Sequence, residues 1–268
     1  MSIPFSVSQG KKPTSFRKYI SSFFVASAMS IAACASAEIP NERQAPIVER
    51  DAPMHAYILL DRTGSMSSIW DEALNSVNTY ATSLGTKEEG ERGDVDADVT
   101  LAVFDAQDGL QFDVLRKGAS AKEWNSVTND EASPRGMTPL FDAIGRIVNI
   151  AEVDKPEKAV LVIMTDGQEN SSREITRTGA KAALDRARDK GWEVVFLGAE
   201  FANFGDAEAV GQSYNKSMAV SKDKLGVTMD RLAKKSRSYA KGEEESVEFN
   251  QEDRSIADEE DVKQRKGQ

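Results

Sequence analysis

Short, unbroken apolar runs, separated by stretches with helical spacing, constrain this chain more than any other feature. His55–Leu60 (HAYILL), Ala159–Met164 (AVLVIM) and Trp192–Leu197 (WEVVFL) lack the strict polar alternation of a strand with one wet face. Such runs suit strands buried on both sides, as in a parallel sheet covered by helices. Between them Met66, Ile69, Trp70, Ala73, Val77, Tyr80, Ala81 and Leu84 recur at steps of three and four, which gives one apolar helix face. Leu140, Phe141, Ile144, Ile147 and Val148 do the same after Thr138-Pro139, with proline at the first helical position. A further helix is predicted over 173–190, stopped by Gly191, and a last one over 222–240. Val99–Phe104 and Gln111–Leu115 read as strands joined through Asp108-Gly109, a strong hairpin signal. Strands alternating with helices, plus one tight hairpin, predict a doubly wound α/β fold: a mostly parallel sheet with one antiparallel edge strand and helices on both faces.

Charge divides the rest of the chain. Residues 1–34 contain no Asp or Glu and carry Lys11, Lys12, Arg17 and Lys18, so their removal takes the net charge from −10 to −14. The uncharged stretch Tyr19–Ala33 follows, in the order of a secretory leader and too short for a permanent span of ~20 residues. Ile31-Ala32-Ala33-Cys34 resembles a bacterial lipobox, which would acylate Cys34, while Ala35-Ser36-Ala37 fits a plain cleavage rule. The lipobox reading is preferred because the chain's one cysteine stands where it is needed. The expectation is an exported protein of the bacterial periplasm or cell envelope, touching the membrane only through a lipid anchor. A true start at Met54 would instead give a cytoplasmic domain. The expected organisation is a signal peptide of lipoprotein type (1–34), a flexible tether (35–53), the α/β domain (54–240) and an acidic C-terminal tail (241–268). With ten acidic and five basic residues and almost no large apolar ones, that tail reads as a frayed helix or disordered. The charged segment 87–98 reads as a solvated loop.

One cysteine and one histidine exclude a disulfide framework, and Cys34 with His55 cannot by themselves assemble a Cys/His zinc site. A pI near 4.9 argues against nucleic acid as a partner. Function is therefore sought where doubly wound folds place it, beyond the carboxyl ends of the strands. Asp61-Arg62-Thr63-Gly64-Ser65 follows the first strand, Arg135-Gly136-Met137-Thr138-Pro139-Leu140 precedes a helix, and Thr165-Asp166-Gly167 follows the central strand. Each offers hydroxyls or carboxylates and no nitrogen base. A small hard dication wants oxygen ligands of this kind, with some positions left to water.

These three loops, in this order and each after the right element, resemble the metal-ion-dependent adhesion site of the von Willebrand factor A-type domain. The resemblance covers roughly residues 56–239 and implies a Rossmann-like sheet with Mg²⁺ or Mn²⁺ at its top. It implies direct ligation by the Thr63 and Ser65 hydroxyls, and by Thr138 directly or through water. Asp61 and Asp166 would hold coordinated waters. A protein partner would complete the sphere with an Asp or Glu carboxylate. Thr63 stands where serine is commoner, and the hydroxyl is kept. Gly191–Ala199 and Phe249–Arg254 are similar to small bacterial and phage-associated members. The implied function is a monomeric, non-enzymatic adhesion or scaffold module, in which the last helix is a candidate moving element.

The residues also admit other readings. Thr138 suits a helix N-cap, Asp142 and Glu169 suit solvated positions near the rim, and the three tryptophans suit packing. The competing function is a Mg²⁺-dependent phosphohydrolase with Asp61 as nucleophile. Thr63 argues against it, because the general acid of that chemistry would have to stand there.

Overall fold

All seven residues of the strand Ala159–Thr165 are buried, as a run of that composition demands. The computed structural model describes residues 53–266 except 88 and 202; the expected signal peptide, Cys34 and all of the expected tether but Pro53 fall outside the described residues. Six strands form one sheet in the order β3-β2-β1-β4-β5-β6. They are β1 (Met54–Asp61), β2 (Ala97–Ala106), β3 (Leu110–Ser120), β4 (Ala159–Thr165), β5 (Glu193–Ala199) and β6 (Ser217–Val220). All neighbours are parallel except β2 and β3, which form the antiparallel hairpin. Its turn places Asp108 and Gly109 at φ of 61° and 117°.

Side chains of a strand alternate between faces, so the apolar runs feed two cores. Ala56, Ile58 and Leu60 of β1 and Val160, Val162 and Met164 of β4 pack under α1 (Trp70–Gly85). Tyr57, Leu59, Leu161 and Ile163 pack on the other face under α2 (Leu140–Asp154) and α3 (Arg177–Asp189). Full burial of such a side chain contributes about 1.5–3 kcal/mol. The two central strands thereby form the rigid platform from which the site loops rise. The short helix α4 (Gly205–Ala209) follows β5, and α5 (Leu225–Ala240) lies against α1 through Tyr80–Ser236 (3.0 Å) and Ser83–Asp230 (2.6 Å). Among the described residues no helix is long and apolar enough to cross a membrane.

Helix starts differ from the periodic reading. A 3-10 turn, Gly64–Ser68, precedes α1, and residues 173–176 form a loop before α3. The larger difference is the C-terminal segment, which packs. It forms α6 (Gln251–Ile256), opened by a capping box between Asn250 and Asp253, and α7 (Glu259–Lys266). Of its few apolar residues, Val247, Phe249, Ala257 and Val262 are buried and Ile256 is partly so. Its buried charges are paired: Asp253 bonds Arg231 at 2.9 Å, and Arg254 pairs with Glu259 at 2.8 Å. The 87–98 segment is also tied down, since Glu91 accepts from the buried Arg237 at 2.6 Å.

His55, the one histidine, lies in β1 rather than at a site. It hydrogen-bonds Thr100 at 2.8 Å and stacks on Tyr57 with centroids 4.2 Å apart. Burial lowers its pKa from 6.5, opposed by the nearby Asp98 and Asp154 carboxylates and assisted by Lys117. Being alone, it gives a single imidazole signal, whose titration by NMR is expected to have its midpoint below 6.5. The neutral form is the one favoured by folding, so this contribution is lost as pH falls from 6.5 through the folded midpoint. A midpoint above 6.5 would contradict the buried environment.

Candidate metal centre

The carboxyl ends of β1 and β4 are adjacent, with Leu60 opposite Met164, so the loops after them start side by side. Asp61 ends β1 and is fully buried. One carboxylate oxygen accepts the Thr63 backbone N–H at 2.7 Å and the other accepts the Thr165 hydroxyl at 2.7 Å. This folds the loop so that the Thr63 and Ser65 hydroxyl oxygens stand 3.1 Å apart. The Ser65 hydroxyl then donates to Asp166 at 2.8 Å, which joins the first loop to the third. A Cβ on Gly167 would lie 3.7 Å from the Thr138 hydroxyl oxygen and 3.9 Å from that of Ser65, so the Thr138 and Ser65 hydroxyls flank the same glycine. The structure thus brings Asp61, Thr63, Ser65, Thr138 and Asp166 to one rim.

Several neighbours hold this rim. Thr138 is not a helix cap: its backbone exchanges bonds with Asn170, donating to the side-chain carbonyl at 2.9 Å and accepting the Asn170 N–H at 3.0 Å. The start of α2 is instead satisfied by Glu169, which accepts from Phe141 N–H at 3.0 Å, and by the Ser172 hydroxyl, which accepts from Asp142 N–H. Glu169 and Asp142 are not solvated. Glu169 also accepts from the Ser171 and Ser172 amides, and the buried Asp142 accepts three amides of the 173–175 loop. Gly136 sits at φ +69°, and a Cβ there would stand 2.4 Å from the Ala106 carbonyl oxygen. Trp70, Trp124 and Trp192 each spend the indole N–H on a nearby residue, consistent with packing.

The electrostatics favour a cation. Burial pushes the Asp61 carboxyl up from 3.8 to about 7; the Thr165 and Thr63 hydrogen bonds work against this, and Asp166 nearby adds to it. A carboxylate buried among neutral partners is costly, and a cation beside it would relieve that cost. Among the described residues no three His, Cys, Asp or Glu side chains gather as a metal cluster, so a cation here would depend on hydroxyls. In an octahedron with ligands at about 2.1 Å, adjacent oxygens are about 3 Å apart. The Thr63–Ser65 separation of 3.1 Å suits such an edge. The donor set fits a hard dication. Nucleophilic attack by Asp61 does not fit, because the carboxylate is fully buried with both oxygens engaged.

A doubly wound sheet with an oxygen-only rim over its central strands defines the class of the domain: an α/β module of the Rossmann-like kind. The chain belongs to the von Willebrand factor type A domain family, which matches residues 56–231. No curated protein matches it in sequence. Among solved structures it is similar to proximal thread matrix protein 1 from the mussel byssus, at TM-score 0.50 and 16% identity over 68% of this chain and 46% of that one. The pilus adhesin SpaC from Lactobacillus rhamnosus GG aligns at 0.53 and 15% over 71% and 31%. The vWF domain of the pilus tip protein Mfa5 from Porphyromonas gingivalis aligns at 0.51 and 11% over 69% and 95%. At these identities the likeness is one of fold, and the chain spans under half the length of the first two.

Proposed function

We propose that this protein is a non-enzymatic adhesion or scaffold module that binds a protein partner through a divalent cation, Mg²⁺ or Mn²⁺, at the top of the sheet. The observation that carries the reading is the grouping of hydroxyls, with Thr63 3.1 Å from Ser65 and both Ser65 and Thr138 beside Gly167, backed by Asp61 and Asp166. The three hydroxyls would ligate the cation, and the two carboxylates would hold its waters. With few charged ligands the cation stays electrophilic, so an Asp or Glu of the partner would complete the sphere. Membership of the family and the adhesin and matrix-protein neighbours agree with this role. The envelope location, the lipid anchor at Cys34 and the monomeric state are proposed from the leader and the composition.

Calorimetric titration of the full chain with MgCl₂ and MnCl₂ tests the reading. Wild type should bind, and Thr138→Ala should bind about 10–100-fold more weakly with its circular dichroism unchanged. Equal affinity in the two proteins would overturn the assignment of Thr138, and an inert wild type would overturn the metal reading.

A further inference from the structure

Asp105 lies at the carboxyl end of β2, outside the three loops, yet the first two of them reach for it. Arg62, between Asp61 and Thr63, donates from Nε to Asp105 Oδ2 at 2.6 Å. Arg135, three residues before Thr138, donates from Nε to the same oxygen at 3.1 Å. The carboxylate is fully buried and Arg62 nearly so, whereas the Arg135 side chain is 41% exposed. Arg62 also reaches Asp113 on β3 at 2.5 Å, which anchors the cluster to the hairpin. The other oxygen, Asp105 Oδ1, makes no hydrogen bond and lies 3.1 Å from where a Cβ on Gly136 would stand.

The backbone repeats the connection. Arg135 N–H donates to the Arg62 carbonyl at 2.8 Å, Gly64 N–H to the Gly136 carbonyl at 3.2 Å, and Ala106 and Met137 exchange a pair of bonds. Loop one, which carries Thr63 and Ser65, and loop two, which carries Thr138, are therefore stitched to each other and to the end of β2. A single buried carboxylate holding one arginine from each loop sets their separation.

We infer that Asp105 is a positioning residue: through Arg62 and Arg135 it clamps the two loops at the spacing their hydroxyls need to ligate one cation. The inference rests on the metal-binding reading above.

Arg135→Gln separates the clamp from a simple charge effect. Removing a cation near a dication site should, by Coulomb's law alone, tighten metal binding. Release of loop two should weaken it, by about 10-fold or more, the usual effect of losing a partner that orients ligands. MgCl₂ and MnCl₂ titrations of the full-length wild type, Arg135→Gln and Asp105→Asn give the sign. In chelator, hydrogen exchange of Arg135→Gln, whose lost side chain is 41% exposed, should quicken about 10-fold at the Gly64 and Met137 amides while Val162 in β4 keeps its wild-type protection. General destabilisation would move all three amides together and overturn the clamp. So would unchanged or tighter metal binding by Arg135→Gln. If wild type binds no metal, the function reading fails, and the exchange pattern still decides whether the clamp exists.

Discussion

Asp61→Asn is expected to bind Mg²⁺ about 100-fold more weakly than wild type and, without metal, to be the more stable protein at neutral pH. Asp61 is buried, and its carboxyl is raised from 3.8 to about 7. Between those values the folded state keeps a proton that the unfolded chain has released. The metal-free wild type therefore loses stability as pH rises from about 4 to about 7, and regains it on acidification. At 1.36 kcal/mol per unit, the penalty at neutral pH is on the order of 4 kcal/mol. Asparagine removes the charge but keeps an acceptor for only one of the two donors, Thr63 N–H and the Thr165 hydroxyl, which returns about 1–2 kcal/mol of that gain. Thermal unfolding in chelator at pH 5 and pH 8 reads the effect: wild type should be markedly less stable at pH 8, and the variant nearly level. A variant as pH-sensitive as wild type would show that another group carries the dependence. The trade of stability for a binding site is common where function needs a buried charge.

The second large effect lies in the C-terminal segment, which packs on the edge strand β6. Arg254→Ala should destabilise the domain by about 3 kcal/mol, because the buried Glu259 then keeps only Lys263, at 3.1 Å and one-third exposed, as its counter-charge. Glu259 is nearly inaccessible and also accepts the Ala219 amide of β6 at 3.2 Å. Arg254 further donates to the Tyr214 carbonyl at 2.6 Å and stacks over the Tyr214 ring at 3.8 Å. For a domain of this size the loss corresponds to a fall in Tm of about 10 °C. Arg146→Ala is the control, since Arg146 pairs with Glu174 at 3.2 Å with both side chains more than half exposed. Such a pair contributes about 0–1 kcal/mol. Equal shifts in the two variants would mean that the C-terminal pair is not sealed from water in solution.

Much of the architecture was legible before folding is considered, and particular residues show why. Leu161 to Met164 carry no polar alternation, so a two-faced burial was the available solution, and β4 is indeed interior to the sheet. Asp108-Gly109 marked the hairpin because few other dipeptides adopt two positive φ angles cheaply. Asp61, Thr63 and Ser65 could be read as a unit because they follow the first strand together; their side chains meet through the Asp61–Thr63 bond and the 3-10 turn that begins at Gly64. Glu169 and Asp142 were misread as solvated. Their carboxylates satisfy amides of the 171–175 segment, and no local pattern announces which backbone groups a loop will leave unpaired. The C-terminal segment was misread for a similar reason. Composition counted its apolar residues as too few, while the fold uses each of them and pairs the charges with Arg231, Lys235 and one another.

What the sequence by itself determined is what depends on neighbours a few positions away: strand or helix, the buried face of each, the turn, and the order in which the oxygen-bearing loops follow their strands. Periodicity and residue type are local properties, and they survive being read along a line. Only the tertiary structure decided which charges are buried and whom they hold. Arg62 meets Asp105 across 43 positions, Glu193 accepts the Val247 amide across 54, and Arg237 reaches Glu91 across 146. An aspartate in a strand looks the same in sequence whether water or an arginine neutralises it. The cost of burying it is met only by groups that the completed fold brings within hydrogen-bonding distance.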